Sequence, residues 1–308
     1  MTVFVPEFGL KGIWISVFTA ISAFCNAGID IIASDSFAGY VHNPIINLTT
    51  CLLIFFSGIG YIVWWDVIRV FKLRKKRKNK VFKSLTLHSK IALTATFVLI
   101  FGGALSIFLF EYNNPLTMRD FTLYQKIQAS FFQSVTTRTA GFFTIPQENL
   151  SNGSTLVSLL LMFIGGSPVG TAGGIKTVTI SVIIAAAISA IKNKNDVTMF
   201  NRTLSKEAVS KAVAVIGTSF FIMFISTLLL STVTNASVID ILYETVSATA
   251  TVGLTRNLTG YLNTAGKIII IATMYFGRVG PISLAVALNL KKQNPNLIKN
   301  PVEDISVG

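Results

Sequence analysis

Three stretches of this 308-residue chain share one layout and one spacing. They are Ser22-Ala23-Phe24-Cys25-Asn26-Ala27-Gly28-Ile29, Val135-Thr136-Thr137-Arg138-Thr139-Ala140-Gly141-Phe142 and Ser247-Ala248-Thr249-Ala250-Thr251-Val252-Gly253-Leu254-Thr255. Aligned on Gly28, Gly141 and Gly253, the copies lie 113 and 112 residues apart. Each begins with a short apolar, helix-compatible stretch, passes through small and hydroxylated residues, and reaches Gly. The chain then turns polar and starts a long apolar run. A repeated structural unit explains such spacing better than unrelated loops do. For any single copy the competing explanation is a helix C-cap, where Gly is common. Three caps in register are harder to explain that way.

Composition decides the solvent in which the unit must fold. Hydrophobic residues make up 52% of the chain, charged residues 13%, and the mean hydropathy is +0.65. A soluble domain carries about 25% charged residues, so the chain reads as an all-α, polytopic membrane protein. Irregular backbone inside a bilayer is tolerated only where protein buries it or where it lines a watery cavity. Three re-entrant loops with Gly at one position therefore point to backbone carbonyls that face a pore. Thr251-Val252-Gly253 also matches the opening of the potassium-channel filter, whose carbonyl oxygens replace an ion's hydration shell. Gly suits such a loop because its backbone adopts positive φ freely.

The net charge of +13 raises nucleic-acid binding as a possibility, and the charge distribution argues against it. Nine Lys or Arg and no acid lie between Arg69 and Lys83. Lys192, Lys194, Arg202, Lys206 and Lys211 form a second basic cluster, and Lys291, Lys292 and Lys299 a third. All three flank apolar runs, as the positive-inside rule expects of cytoplasmic loops. Cys25 and Cys51 form no disulfide framework, and His42 and His88 read as isolated interfacial residues, so no metal or cofactor is expected.

In chain order, residues 10–24 read as a short pore helix, too short for a span of about 20 residues. Residues 45–68 read as the first full span, with Trp64, Trp65 and Asp66 at its basic end. Residues 87–110 read as the next span and 122–136 as the second pore helix. Residues 154–191 are too long for one span, and their middle, Gly165 to Thr177, holds Gly165, Gly166, Pro168, Gly170, Gly173 and Gly174. That composition breaks a helix, and a break at mid-membrane depth often marks a transport site. Residues 206–233 read as a span, 238–250 as the third pore helix, and 262–290 as the last span. Arg278, in Gly277-Arg278-Val279-Gly280-Pro281, is costly inside a bilayer and is expected to face the bundle interior or snorkel to the surface.

These stretches resemble the Trk/Ktr/HKT superfamily of cation transporters, and most of all the membrane subunit of bacterial Ktr-type potassium uptake. The residues that carry the resemblance are Ala20–Gly28, Ser134–Phe142, Gly165–Thr177, Ser247–Thr255 and Gly277–Pro281, with Pro301–Gly308 similar to that family's C-terminal end. The resemblance implies pseudo-fourfold repeats of helix, pore loop and helix around one pore. On that pattern residues 1–80 hold a partial second repeat, 81–204 a third repeat with a broken gate helix, 205–293 a fourth, and 294–308 a cytoplasmic tail. The first repeat and the outer helix of the second are expected to be missing, an N-terminal truncation. Cys25 stands where the family usually has Asn, and it is expected to pack behind the loop.

The resemblance implies a filter formed by Asn26, Ala27, Gly28, Thr139, Ala140, Gly141, Thr251, Val252 and Gly253. It implies a gate of Gly165, Gly166, Gly170, Thr171, Gly173, Gly174, Lys176 and Arg278. The cargo would be potassium, with sodium as coupling or alternative ion, taken up across the bacterial plasma membrane. The implied partners are the lipid bilayer, a second copy in a homodimer, and a cytosolic nucleotide-binding ring subunit, with no nucleic acid. Lys176 either repels cations at the gate or pairs with backbone carbonyls. The outer acids Asp30, Asp35, Glu148, Asp240 and Glu244 would concentrate cations. Two other readings compete. A phosphate-binding loop at Gly170–Thr177 fails because Ile175 separates Gly174 from Lys176, and no paired carboxylates or Ser/His/Asp set suggests an enzyme. A non-conducting remnant or assembly partner of the same fold is the remaining alternative.

Overall fold

The computed structural model describes residues 1–32, 35–77, 81–194 and 196–280. In chain order they form α1 (Phe4–Phe8), α2 (Lys11–Phe24), α3 (Pro44–Gly58), α4 (Tyr61–Arg77), α5 (Val81–Ser84), α6 (Leu87–Glu111) and α7 (Leu123–Thr136). There follow α8 (Asn152–Phe163), α9 (Thr177–Ile191), a hairpin of β1 (Thr198–Met199) and β2 (Arg202–Thr203), α10 (Lys206–Val233), α11 (Val238–Ala250) and α12 (Thr264–Val279). Apart from that hairpin and one isolated bridge, regular structure among the described residues is helical.

Most helices start where an apolar run follows a residue that can cap free amides. Asn43 accepts from the Ile45 and Ile46 amides, with Pro44 in the first turn of α3. Thr86, Ser151, Ser205, Ser237 and Asn263 cap α6, α8, α10, α11 and α12 in the same way. Thr122 and Gln125 form a reciprocal capping box on α7. Each such cap contributes about 1 kcal/mol. By contrast α9 starts at Lys176 without a side-chain cap, because it emerges from a folded loop.

Among the described residues two helices, α6 and α10, are long and apolar enough to cross a membrane alone. Their faces are inverted relative to a soluble bundle. Phe97, Val98, Phe101, Leu105 and Leu109 of α6, and Phe220, Phe221, Phe224 and Leu228 of α10, are exposed. The buried faces carry Ser89, Thr96 and Gly103 on α6 and Ser219 and Ser226 on α10. Small and hydroxylated residues allow close helix packing where lipid removes the hydrophobic drive between helices. The architecture is that of an all-α integral membrane protein.

A recurring neighbour relation positions the short helices. Helix α2 packs on α3, α7 on α6, and α11 on α10 and α12. Contacts of α3 with α7 and of α8 with α11 join these groups side by side. Helix α11 is buried along most of its length from Ile241 to Ala250, whereas α2 exposes Trp14 and Ile21 and α7 exposes Leu123, Tyr124 and Ile127.

Residues 45–68 are not one straight helix. Helix α3 ends at Gly58, and the chain bends by 91° before residues Tyr61–Leu73. The uninterrupted apolar run conceals the Gly58-Ile59-Gly60 break, and a distant loop fills it. The Ser167 amide donates to the Gly58 carbonyl at 2.9 Å, and the Tyr61 amide to the Val169 carbonyl at 3.4 Å. Gly60 has φ 87°, and a Cβ there would overlap the Pro168 carbonyl oxygen.

Smaller differences are the short α1 within residues 1–9 and the hairpin before α10, both too short to leave a periodic pattern. Helix α12 is described to Val279. The remainder of the expected span, Pro281, the third basic cluster and the tail expected at a homodimer interface lie outside the described residues.

Candidate functional site

Each of α2, α7 and α11 ends just before one of the aligned glycines, and all three loops take the same unusual backbone. Gly28, Gly141 and Gly253 have φ of 67°, 87° and 95°. The residue two positions earlier is also left-handed, with φ 50° at Asn26, 74° at Thr139 and 53° at Thr251. A non-Gly residue in this region is uncommon and costs about 1–3 kcal/mol. In two of the loops it closes the helix. The Ala27 amide donates to Ser22 O at 2.9 Å and the Val252 amide to Ser247 O at 2.8 Å, the wide turn of a Schellman cap. The cap is thus made two residues before the Gly. The Gly itself is left for a second purpose.

That purpose is close approach between loops. A Cβ on Gly141 would lie 2.6 Å from the Val252 carbonyl oxygen and 3.0 Å from the Gly28 Cα. A Cβ on Gly28 would overlap the Ala140 carbonyl oxygen. Each of these glycines lies against the carbonyl that precedes the next Gly. A hydroxyl near the end of each helix then holds the strand that leaves. Ser22 Oγ donates to Ile29 O at 2.6 Å, Thr136 Oγ1 donates to Phe142 O, and Ser247 Oγ accepts from the Gly253 amide at 3.2 Å.

All nine candidate filter residues therefore come together: Asn26, Ala27 and Gly28 beside Thr139, Ala140 and Gly141, and those beside Thr251, Val252 and Gly253. The C-terminal ends of α2, α7 and α11 meet at the same place, so their negative dipole ends add there. The potential so created favours a cation.

Beneath this cluster lies the break between α8 and α9. Its ends are zipped together. Ile164 bridges Ile175, the Ile175 amide donates to Phe163 O at 3.1 Å, and the Thr177 amide to Gly166 O at 2.9 Å. The closed loop reaches up to the candidate filter. Asn26 Nδ2 donates to Thr171 Oγ1 at 3.1 Å, and the Gly173 amide donates to Thr139 Oγ1 at 3.0 Å. A Cβ on Gly173 would overlap Thr251 Oγ1, a buried hydroxyl with no hydrogen-bond partner among the described residues. Thr171, Gly173 and the candidate filter are therefore in direct contact.

The two candidate gate cations both reach carbonyls of this loop. Lys176 Nζ donates to Ala172 O at 2.5 Å, and Arg278 donates to Thr171 O at 3.2 Å. The carbonyl pairing expected of Lys176 is present. Both cations line a cavity of about 370 Å³ with Phe163, Ser219, Thr249 and Gly277. Gly165, Gly166, Gly170 and Gly174 form the turns and crossings of the same loop.

One residue of the site escaped the sequence reading. Arg138, inside the second motif, is 7% exposed and donates to Gly165 O at 3.1 Å and to Thr96 Oγ1 at 3.5 Å. A cation inside an apolar segment is the signal that could have found it, but the hydroxyl-rich motif around it hides that signal. Cys25 is exposed, not packed behind its loop.

Two of the outer acids have structural partners. Asp240 accepts from Arg256 Nε at 2.8 Å and from the Ser237 hydroxyl at 2.6 Å. Burial opposes its ionisation, but these donors outweigh it and hold the carboxyl below the usual carboxylate range. Glu244 is buried and accepts from the Thr255 and Thr259 hydroxyls.

The model of the TrkH family, described as a cation transport protein, matches residues 3–299. The chain belongs to the TrkH family. That family consists of cation transporters and not of enzymes. Ktr system potassium uptake protein B of Bacillus subtilis is 38% identical over 305 residues, covering 99% of this chain and 66% of the relative. Potassium/sodium uptake protein NtpJ of Enterococcus hirae is 36% identical over 312 residues, covering 99% and 67%. The crystal structure of the potassium transporter TrkH from Vibrio parahaemolyticus superposes with a TM-score of 0.72 at 17% identity, covering 94% of this chain and 66% of that one. This TrkH-family chain thus spans about two thirds of the length of those relatives.

Proposed function

We propose that the chain takes part in potassium uptake across the bacterial plasma membrane, with dehydrated ions held by carbonyls of the loops at Gly28, Gly141 and Gly253. The observation that carries the reading is the convergence of three left-handed glycines, two of them lying against the carbonyl of the next loop, at the meeting point of three helix C-termini. Carbonyl oxygens so arranged replace the hydration shell of a monovalent cation. Relatives named for potassium and for potassium/sodium uptake support this cargo class.

In this reading the loop from Gly165 to Thr177 is the gate. It closes the pathway by its contacts with Asn26, Thr139 and Thr251, and Arg278 and Lys176 hold it there by their carbonyl bonds. A homodimer and a cytosolic nucleotide-binding ring are the partners that the reading adds. The name of the Bacillus relative, a component of a Ktr system, supports accessory subunits in general.

Rubidium uptake into potassium-starved bacteria that express the chain tests the proposal. Saturable uptake, competed better by potassium than by sodium, is expected. Gly253→Ser should narrow that difference, because the added hydroxyl competes with the carbonyls for the ion. Equal competition by the two ions in the parent would overturn the potassium assignment, and unchanged selectivity in the variant would remove Gly253 from the filter.

A further inference from the structure

Behind the second and third loops, on the outer side, lies a closed set of buried polar side chains that belong to neither the proposed filter nor the gate. Gln133 on α7 and Gln147 beyond Gly141 face each other. Gln133 Nε2 donates to Gln147 Oε1 at 2.6 Å, and Gln147 Nε2 donates back to Gln133 Oε1 at 3.1 Å. Gln147 Nε2 also donates to the Ile145 carbonyl at 2.7 Å. The Tyr243 hydroxyl, from α11, donates to Gln147 Oε1 at 2.8 Å. Gln133 and Tyr243 are fully buried, and Gln147 is 1% exposed.

The backbone of Gln147 is held from outside as well. Its carbonyl accepts from Arg256 at 3.0 Å, and Arg256 also donates to Thr155 Oγ1, Glu148 O and Asp240. Arg256 lies three residues beyond Gly253, and Gln147 six beyond Gly141. Gln147 therefore connects four pieces: the short helix of its own loop, the strand that leaves that loop, the short helix of the next loop, and the strand that leaves the next loop. Buried amides satisfied in this way specify one arrangement, because any shift strands a polar group in an apolar setting.

We propose that Gln147 is a positioning residue which, through Gln133 and Tyr243, fixes the separation of the Gly141 and Gly253 loops and thereby sets preference between potassium and sodium. The inference rests on the proposed carbonyl filter. Carbonyls free to approach one another fit the smaller ion better, so a network that holds them apart favours the larger.

The test is the melting temperature of the purified full chain in detergent, titrated separately with KCl and NaCl at constant total salt with choline chloride. An ion that binds the folded state raises the melting temperature, and the midpoint of that rise gives an apparent affinity. The parent should show a lower midpoint for potassium than for sodium. Tyr243→Phe and Gln147→Leu should each narrow the ratio of the two midpoints by about three- to tenfold, the worth of one buried hydrogen bond. Tyr261→Phe, at an exposed position, should leave the ratio unchanged.

If both network variants keep the parent ratio and lose only melting temperature in choline, the network is merely structural and the inference falls. A parent with no potassium-dependent rise overturns the proposed function, and this inference with it. Should Gln147→Leu fail to fold, Tyr243→Phe removes a single oxygen and carries the test.

Discussion

The loops at Gly28 and Gly141 share one left-handed pattern in very different surroundings. Both combine a left-handed residue, an ordinary one and a left-handed Gly, and in both a hydroxyl from the preceding helix binds the carbonyl after the Gly. Around Gly141 the side chains from Val135 to Phe142 are buried. Around Gly28, Phe24 is 49% and Ile29 60% exposed, and Cys25 is exposed too. The second loop is tied to the interior through Arg138, Gln133 and Gln147. The first relies on Ser22 and on Asn26, whose side chain reaches Thr171 and accepts from Ser57 at 3.5 Å. The conformation of such a loop is therefore a local property, made by a helix end, a hydroxyl and a Gly. Its rigidity comes from whatever packs around it.

The harshest perturbation fills the space between loops. Gly141→Ala puts a methyl 2.6 Å from the Val252 carbonyl oxygen on a backbone at φ 87°. It should cost about 3 kcal/mol or more in stability and abolish ion-dependent stabilisation. In Gly253→Ala the nearest atom is the Gly141 Cα at 3.6 Å. Only the backbone penalty applies there, about 1–2 kcal/mol. Thermal melts of the two variants compare them directly, and equal losses would show that close approach is not what Gly141 provides.

A milder change separates rigidity from conformation. Arg138→Met removes a buried charge whose partners are a carbonyl and a hydroxyl, with Nε unpartnered among the described residues. Exchanging such a cation for an apolar side chain is often neutral or stabilising. Global melting should hold or rise, while amide exchange across Gly165–Gly174 becomes about tenfold faster through loss of the Gly165 tether. Unchanged exchange in that loop, followed by mass spectrometry, would dismiss Arg138 as its anchor.

The smallest perturbation probes the difference in exposure. Maleimide should modify Cys25 readily in the folded protein, while Cys51, buried on α3, should react only after unfolding. Protection of Cys25 would mean that the first loop is as enclosed as the second.

Much of this molecule was legible in the order of its residues. The repeat of Gly28, Gly141 and Gly253 marked the loops. The lengths of the apolar runs separated short helices from spans, and the bounds of α10 and α11 emerge where the run lengths put them. The glycines from Gly165 to Gly174 marked the break. Each of these is written within a short window, where helix propensity, capping and hydropathy act over a few neighbours.

What lay beyond such windows had to wait for the fold. The bend at Gly58–Gly60 occurs inside an apolar run and exists because residues 167–171, more than a hundred positions away, occupy the gap. The roles of Arg138, Gln147 and Arg256 depend on carbonyls and side chains brought to them by other helices. The structural use of Asp240 and Glu244 could not be told from free acids at a mouth. A pattern in one dimension specifies where backbone groups are left without partners; three-dimensional packing alone decides which distant group supplies them.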